Sequence, residues 1–400
     1  MWPIATTSGS DHPAGSPEDA ARWRRRLEGI LGVPATTGNR VTVLRNGEEI
    51  FPAMLEAIRG AERFIDFLTF VYWTGDIAQE FAEALAERAA AGVRVRVLLD
   101  AVGARTMNRD LGHRMEAAGA RVAFFRTPVT WRVWEAEHRT HRKVLIVDEH
   151  VGFTGGVGIA EEWMGDGRQE GSWRDTHFRV EGPAVDGLRG AFVSNWIETG
   201  APAYDDDDTF TDQEPAGDHC VQVLRGAASV GWSDITIVMR ALVRSAQHRL
   251  RITTAYFTPD EELVELLCAA AERGVAIQVL LPGRNADKRV VQLTGEATYE
   301  RLLDCGVEIS CYGPSMLHAK VITVDRSVAL VGSANVNSRS MARDDEVCLA
   351  LFEPGLVAEL DGDFDHDCEH SEALDPAQWR RRHPAQRALE TATNLIKARM

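Results

Sequence analysis

The stretch AERAAAGVRVRVLLD, Ala86 to Asp100, decides the fold: an amphipathic helix runs into Gly92, and an apolar strand-like run follows from Val93 to Leu99. Glycine just past a helix end takes a left-handed backbone at little cost, so Gly92 marks the helix stop. Ahead of this unit stands another apolar run, RFIDFLTFVYW (63–73); behind it, AAGARVAFF (117–125) closes a further helix and begins a short strand. The same order returns in the second half. HRLRITTAYFTPD (248–260) precedes EELVELLCAAAERGVAIQVLLPG (261–283), with Gly274 as the stop, and DCGVEISCY (304–312) follows. A chain that repeats strand and helix signals in one order is duplicated. It predicts an α/β sandwich of two pseudo-symmetric halves, each with a mostly buried mixed sheet flanked by helices.

Four hundred residues accommodate two such halves, and 44% hydrophobic with 26% charged residues is a globular composition. The expected division is a tail and short helix (1–39), a first half (40–203), an acidic linker (204–218), a second half (219–370) and a basic C-terminal tail (371–400). The linker carries the run Asp205–Asp208. No uncharged apolar run reaches membrane-spanning length, and the N-terminal stretch lacks a signal-like apolar core, which predicts a cytoplasmic chain. A net charge of −16 argues against a nucleic-acid partner, since phosphate backbones require clustered Lys and Arg. The six cysteines, at 220, 268, 305, 311, 348 and 368, form no C-x-x-C pair and read as reduced, mostly buried thiols.

The chemistry lies in two copies of H-x-K-x-x-x-x-D. HRKVLIVD supplies His141, Lys143 and Asp148; HAKVITVD supplies His318, Lys320 and Asp325. Each leads into an apolar run, and residues two apart on an extended chain share a face, so each His and Lys point together. Small-residue turns follow at equal distance, with Gly155 and Gly156 against Gly332 and Ser333. Such turns let backbone N–H groups approach an anion, and Ser333 and Asn335 add donors, making Gly156, Ser333 and Asn335 candidate phosphate-binding residues. Aligning Pro183 with Pro354 sets Asp175 opposite Glu346; these carboxylates are expected to orient His141 and His318 respectively. Asp148 and Asp325 read as closing the turn at the strand's end. No carboxylate pair at metal-ligand spacing accompanies either motif, so no metal or other cofactor is expected. His113, His138 and His150 fall outside the expected site, and His177 is left open by its nearness to Asp175 in sequence.

With these motifs the chain resembles the phospholipase D superfamily, and within it the bacterial cardiolipin synthases, over roughly Val41 to Asp363. LLDAVGA, WRDTHFRVEGPAV, AYFTPD and GSANVNSRS add to the likeness. The resemblance implies a duplicated phospholipase D-like sandwich and a phosphatidyltransferase working through a covalent phosphohistidine. His141 would be the nucleophile, His318 the general acid/base, and phosphatidylglycerol the expected phospholipid. A phospholipase-type hydrolase, or less favourably a nuclease, is the alternative, because only the attacking group differs. One departure stands out: Gly158 occupies the place where these synthases commonly carry the asparagine matching Asn335. Catalysis on a lipid without a span implies peripheral docking at the inner face of the cell membrane. Candidate anchors are Trp131 and Trp134, in an insert of about ten residues peculiar to the first half, and the tail with Trp379 and Arg380–Arg382.

Overall fold

The computed structural model describes residues 15–127, 138–201, 212–227 and 232–382. Trp131 and Trp134, the acidic run Asp205–Asp208, the first fourteen residues and the tail beyond Arg382 lie outside them.

Both halves fold as the repeat predicts. Phe64–Thr69, Arg94–Asp100 and Arg121–Phe125 run parallel, and Val144–Val147, Val151–Gly155 and Thr176–Glu181 continue the sheet antiparallel. In the second half Arg249–Thr253, Ala276–Pro282 and Glu308–Tyr312 are parallel, extended antiparallel by Val321–Val324, Val328–Gly332 and Glu346–Leu351. The helices Asp76–Ala90 and Glu261–Glu272 are the parallel crossovers, and Gly92 and Gly274 follow them at the same φ of +91°. Strand residues are buried on both faces because helices cover both sides of the sheet. The polar exceptions are paired: Arg96 grips the carboxylate of its register neighbour Asp66 at 2.7 and 2.8 Å.

The halves do not keep separate sheets. Thr36–Arg45 pairs antiparallel with Thr176–Glu181 on one side and with His219–Ala227 on the other, and His219–Ala227 continues into Glu346–Leu351. Among the described residues one sixteen-stranded sheet therefore joins the two halves. The short N-terminal helix is also integral: Pro17–Leu31, capped by Ser16, buries Ala20, Trp23 and Leu27 in the core of the second half.

One expectation is corrected here. Cys268 and Cys305 form a disulfide, their Cα atoms 5.2 Å apart, while Cys220, Cys311, Cys348 and Cys368 are free. The two sulfurs sit in one helix and just past the end of another, in neighbouring helices over the same sheet, a proximity that a separation of 37 residues conceals. The start of the basic tail lies against the second half. Trp379 packs on Tyr299 at 5.6 Å, while Arg380 and Arg382 pair with Asp304 and Glu300. The Arg380 side chain is still 55% exposed beside Asp304. Among the described residues no helix is long and apolar enough to cross a membrane.

Candidate active site

The two motifs meet through an exchange of backbone between halves. Met316–Leu317, just ahead of His318, pairs parallel with Trp173–Arg174, and the His318 N–H donates to Arg174 O at 2.7 Å. By the pseudo-symmetric counterpart, Thr140 bridges Asp345, and the His141 N–H donates to Asp345 O at 2.8 Å. Each histidine is therefore set beside the residue that precedes the other half's carboxylate. The regular strands begin at Val144 and Val321, one residue after each lysine, so His and Lys occupy the extended approach to the strand.

The carboxylates pair crosswise, which reverses the expected partners. His141 Nδ1 lies 3.0 and 3.1 Å from the two oxygens of Glu346, and His318 Nδ1 lies 2.7 Å from Asp175 Oδ2. A carboxylate at each Nδ1 favours the proton there and leaves each Nε2 for chemistry, although Lys320 Nζ also lies 2.9 Å from His318 Nδ1. Both carboxylates are fully buried; the side chain of His141 is 12% exposed and that of His318 only 5%. Lys143 and Lys320 are buried too, and their ammonium groups reach the backbone oxygens of His141 and His318.

Burial and crowded cations shape the electrostatics. Loss of water, then Lys143 and Lys320, bring His141 down to about 4 despite Glu346. Loss of water and the adjacent Lys320 bring His318 to about 3 despite Asp175. Burial, joined by the neighbouring lysine, lowers Lys143 to about 7, and burial lowers Lys320 to about 8. Burial alone would raise the carboxylates, yet His141 and Lys143 outweigh it at Glu346, which falls to about 2. Asp175 is likewise held below the usual range, by His318 and Lys320 against its burial. The site gathers two under-solvated lysines and two low-titrating imidazoles beside two ionised carboxylates, so negative charge brought to it favours the cationic forms.

Asp148 and Asp325 stay outside this cluster. Each has positive φ and accepts three backbone N–H groups: Glu62, Arg63 and Phe64 for Asp148; Gln247, His248 and Arg249 for Asp325. They tie the motif strand to the start of its antiparallel neighbour. Ser333, expected on the phosphate, instead gives its hydroxyl to Glu346 Oε2. Gly156 spends its N–H on Thr176 O at 3.3 Å, and a Cβ there would lie 2.1 Å from Asp175 Oδ1, so this glycine makes room for the carboxylate. Asn335 is buried, its side-chain oxygen 3.4 Å from the Thr254 hydroxyl. Gly158 cannot carry a side chain in this backbone: a Cβ would come 2.6 Å from Val71 Cβ and 3.2 Å from the Trp163 ring. His177 is buried beside Gly155, off the reactive faces.

Sequence reasoning missed the aromatic wall. Trp163 and Trp173 stand 5.3 and 4.8 Å from the His318 ring, Tyr256 stands 6.4 Å from it, and Phe70 lies 5.2 Å from His141. Trp163 also donates its indole N–H to Asp175 at 2.9 Å. A signal did exist, because the 177-residue offset between motifs sets Trp163 against Ser340, an exchange too large to be neutral.

Residues 54–168 and 239–368 match the family model described as "Cardiolipin synthase, PLD-like domain". Cardiolipin synthase 1 of Bacillus cereus is 30% identical over 375 residues, covering 91% of this chain and 73% of that protein. The cardiolipin synthase of Geobacillus kaustophilus is 31% identical over 369 residues, with the same coverage. Among solved structures, the phosphatidylserine synthase of Haemophilus influenzae superposes with a TM-score of 0.70 at 16% identity, covering 94% of this chain and 98% of that one, which shows a shared fold. The duplicated histidine–lysine motifs, the continuous sheet and these likenesses together place the chain in the cardiolipin synthase family of the phospholipase D superfamily.

Proposed function

We propose that this enzyme is a phosphatidyltransferase that moves a phosphatidyl group between alcohols, with phosphatidylglycerol as donor and acceptor, docking peripherally on a membrane to reach them. The observation that carries the proposal is the pair of crossed His–carboxylate contacts, which leaves two Nε2 atoms available beside two buried lysines. Its relatives named cardiolipin synthase support the substrate class.

A phosphodiester resists attack until the charge on its oxygens is offset, and Lys143, Lys320 and the Asn335 amide are the groups disposed to do so. Burial and the nearby lysines hold both imidazoles low, but an arriving phosphodiester anion reverses the field around them. Protonating one imidazole then becomes favourable, with its Nδ1–H still held by carboxylate. His141 Nε2 attacks phosphorus as the P–O bond to glycerol breaks, and the His318 Nε2–H passes its proton to the departing alkoxide. The incoming glycerol hydroxyl then gives its proton to His318 while its oxygen displaces His141 from phosphorus. The P–N bond breaks and both imidazoles return to their starting states. The buried aromatic wall about His318 keeps water away from the base, which favours alcohol over water as acceptor.

The test is incubation with phosphatidylglycerol vesicles followed by mass analysis of the lipids, with vesicle flotation run in parallel. Cardiolipin and free glycerol are expected from the intact chain, and neither from His141→Ala or His318→Ala. Phosphatidic acid as the sole product would make the protein a hydrolase instead.

A further inference from the structure

The two turns supporting the crossed carboxylates are built differently, and one set of substitutions accounts for the difference. At the constant offset of 177 residues, Gly156, Gly158 and Trp163 stand where the second half has Ser333, Asn335 and Ser340. In the second half the carboxylate is the longer Glu346. It reaches past Ser333, whose hydroxyl donates to Oε2, while the Ser340 hydroxyl accepts from the Asn335 N–H at 3.2 Å. In the first half the carboxylate is the shorter Asp175. It occupies the space a serine Cβ would take at 156, since that atom would fall 2.1 Å from Asp175 Oδ1. With no serine to donate, the hydrogen bond comes from elsewhere. Trp163, fully buried, lies against Gly158 and delivers its Nε1–H to Asp175 Oδ2 at 2.9 Å. That is the same oxygen that meets His318 Nδ1 at 2.7 Å. Carboxylate length, turn residue and hydrogen-bond donor thus change together.

We propose that Trp163 is a positioning residue for His318: its indole N–H aims the Asp175 carboxylate and limits its basicity, as the Ser333 hydroxyl does for Glu346 and His141. The proposal rests on the roles given to the two histidines above. A donor on Oδ2 draws charge away from the face presented to the imidazolium, so removing it leaves a stronger acceptor and a more basic His318. The other groups around this ring are Lys320 on its own segment, Lys143 from the other motif, and the rings of Trp173 and Tyr256. The Tyr256 phenol is bonded to Asp287, and Lys288 lies over its ring at 5.1 Å. None of these donates to Asp175 Oδ2 in place of the indole.

The decisive measurement is the pH dependence of single-turnover phosphatidyl transfer from phosphatidylglycerol vesicles. A general acid must be protonated and a nucleophile neutral, so His318 governs the alkaline limb and His141 the acid limb. Trp163→Phe keeps an aromatic ring against His318 and loses the N–H; it should move the alkaline limb upward by about one pH unit. Ser333→Ala should move the acid limb upward and leave the alkaline limb in place. A Trp163→Phe enzyme that is slower but has both limbs unmoved would show that the indole only fills space, and would overturn the proposal. Should that variant fail to fold, as judged by circular dichroism, benzothienylalanine at position 163 retains the bicyclic shape without the N–H and is held to the same criterion. His318→Ala separates the two levels of inference. Turnover in that variant removes the active-site reading itself, whereas an inactive His318→Ala beside unmoved limbs in the Trp163 variants removes only the positioning role.

Discussion

Replacing Glu346 by Gln keeps the shape of the crossed contact and removes its charge, and the structure sets the expected size of the loss. Glu346 is fully buried and falls from 4.5 to about 2. That depression corresponds to about 3 kcal/mol of preference for the ionised carboxylate beside His141 and Lys143. Without that charge, the positive imidazole formed as phosphorus bonds to His141 loses stabilisation of the same order, a rate factor of about a hundred or more. Asp175→Asn should slow turnover comparably through His318. The two are told apart by the leaving group. On a phosphatidyl-p-nitrophenol substrate the departing phenolate needs no proton, so general acid catalysis is dispensable for the first step. Stopped-flow absorbance should then show one equivalent of nitrophenolate released quickly by Asp175→Asn and by His318→Ala, followed by a stall, because the acceptor alcohol still lacks its base. Glu346→Gln and His141→Ala should show no burst. The reverse pattern would refute the order of roles, and a burst in Glu346→Gln alongside none in His141→Ala would refute the crossed pairing.

Two further outcomes concern stability. His141 and His318 titrate lower folded (about 4 and about 3) than unfolded (6.5). The unfolded chain therefore takes up protons first; stability is full above pH 6.5 and is lost as pH falls toward 4. At pH 5 each imidazole accounts for about 2 kcal/mol of that loss. Thermal melts from pH 7 to 5 should fall less steeply for the His141→Ala/His318→Ala double variant, and equal slopes would contradict the assignment. Asp325→Ala, which strands the N–H groups of Gln247, His248 and Arg249, should cost about 2 kcal/mol in urea denaturation while leaving the kcat of the folded fraction within about twofold. A selective loss of kcat would return Asp325 to the chemistry.

The sheet, the helix stops and both histidine–lysine pairs were legible in the chain because they depend on local pattern: alternation within 93–99, a glycine at 92 and again at 274, a motif repeated at a fixed offset. What stayed hidden depends on which half touches which. The disulfide joins the body of one helix to the end of its neighbour over one sheet face. The role of Trp163 appears only when its ring is seen occupying the volume denied to a side chain at 158. Ser333 was rightly placed in the turn, yet its hydroxyl is spent on Glu346, a contact invisible until the partner strand is known.

The crossed carboxylates are the most instructive case, because in-chain alignment correctly matched Asp175 with Glu346 and still assigned them to the wrong histidines. Two pseudo-equivalent halves make self-pairing and cross-pairing indistinguishable by motif alone: each assignment uses the same four residues. Backbone hydrogen bonding decides between them. His318 is tied to Arg174 and His141 to Asp345, so each ring is delivered to the carboxylate one residue further along the opposite half. A consequence follows for assembly. Neither half by itself contains a completed histidine–carboxylate pair, so the charged network exists only when the halves are docked. The continuous sheet through Thr36–Arg45 and His219–Ala227 fixes that docking with strand pairing rather than with side chains alone. The cost of gathering two lysines and two histidines in a dry site is thereby borne by backbone contacts formed outside the site, which is how such a cluster stays preorganised for an anion before the anion arrives.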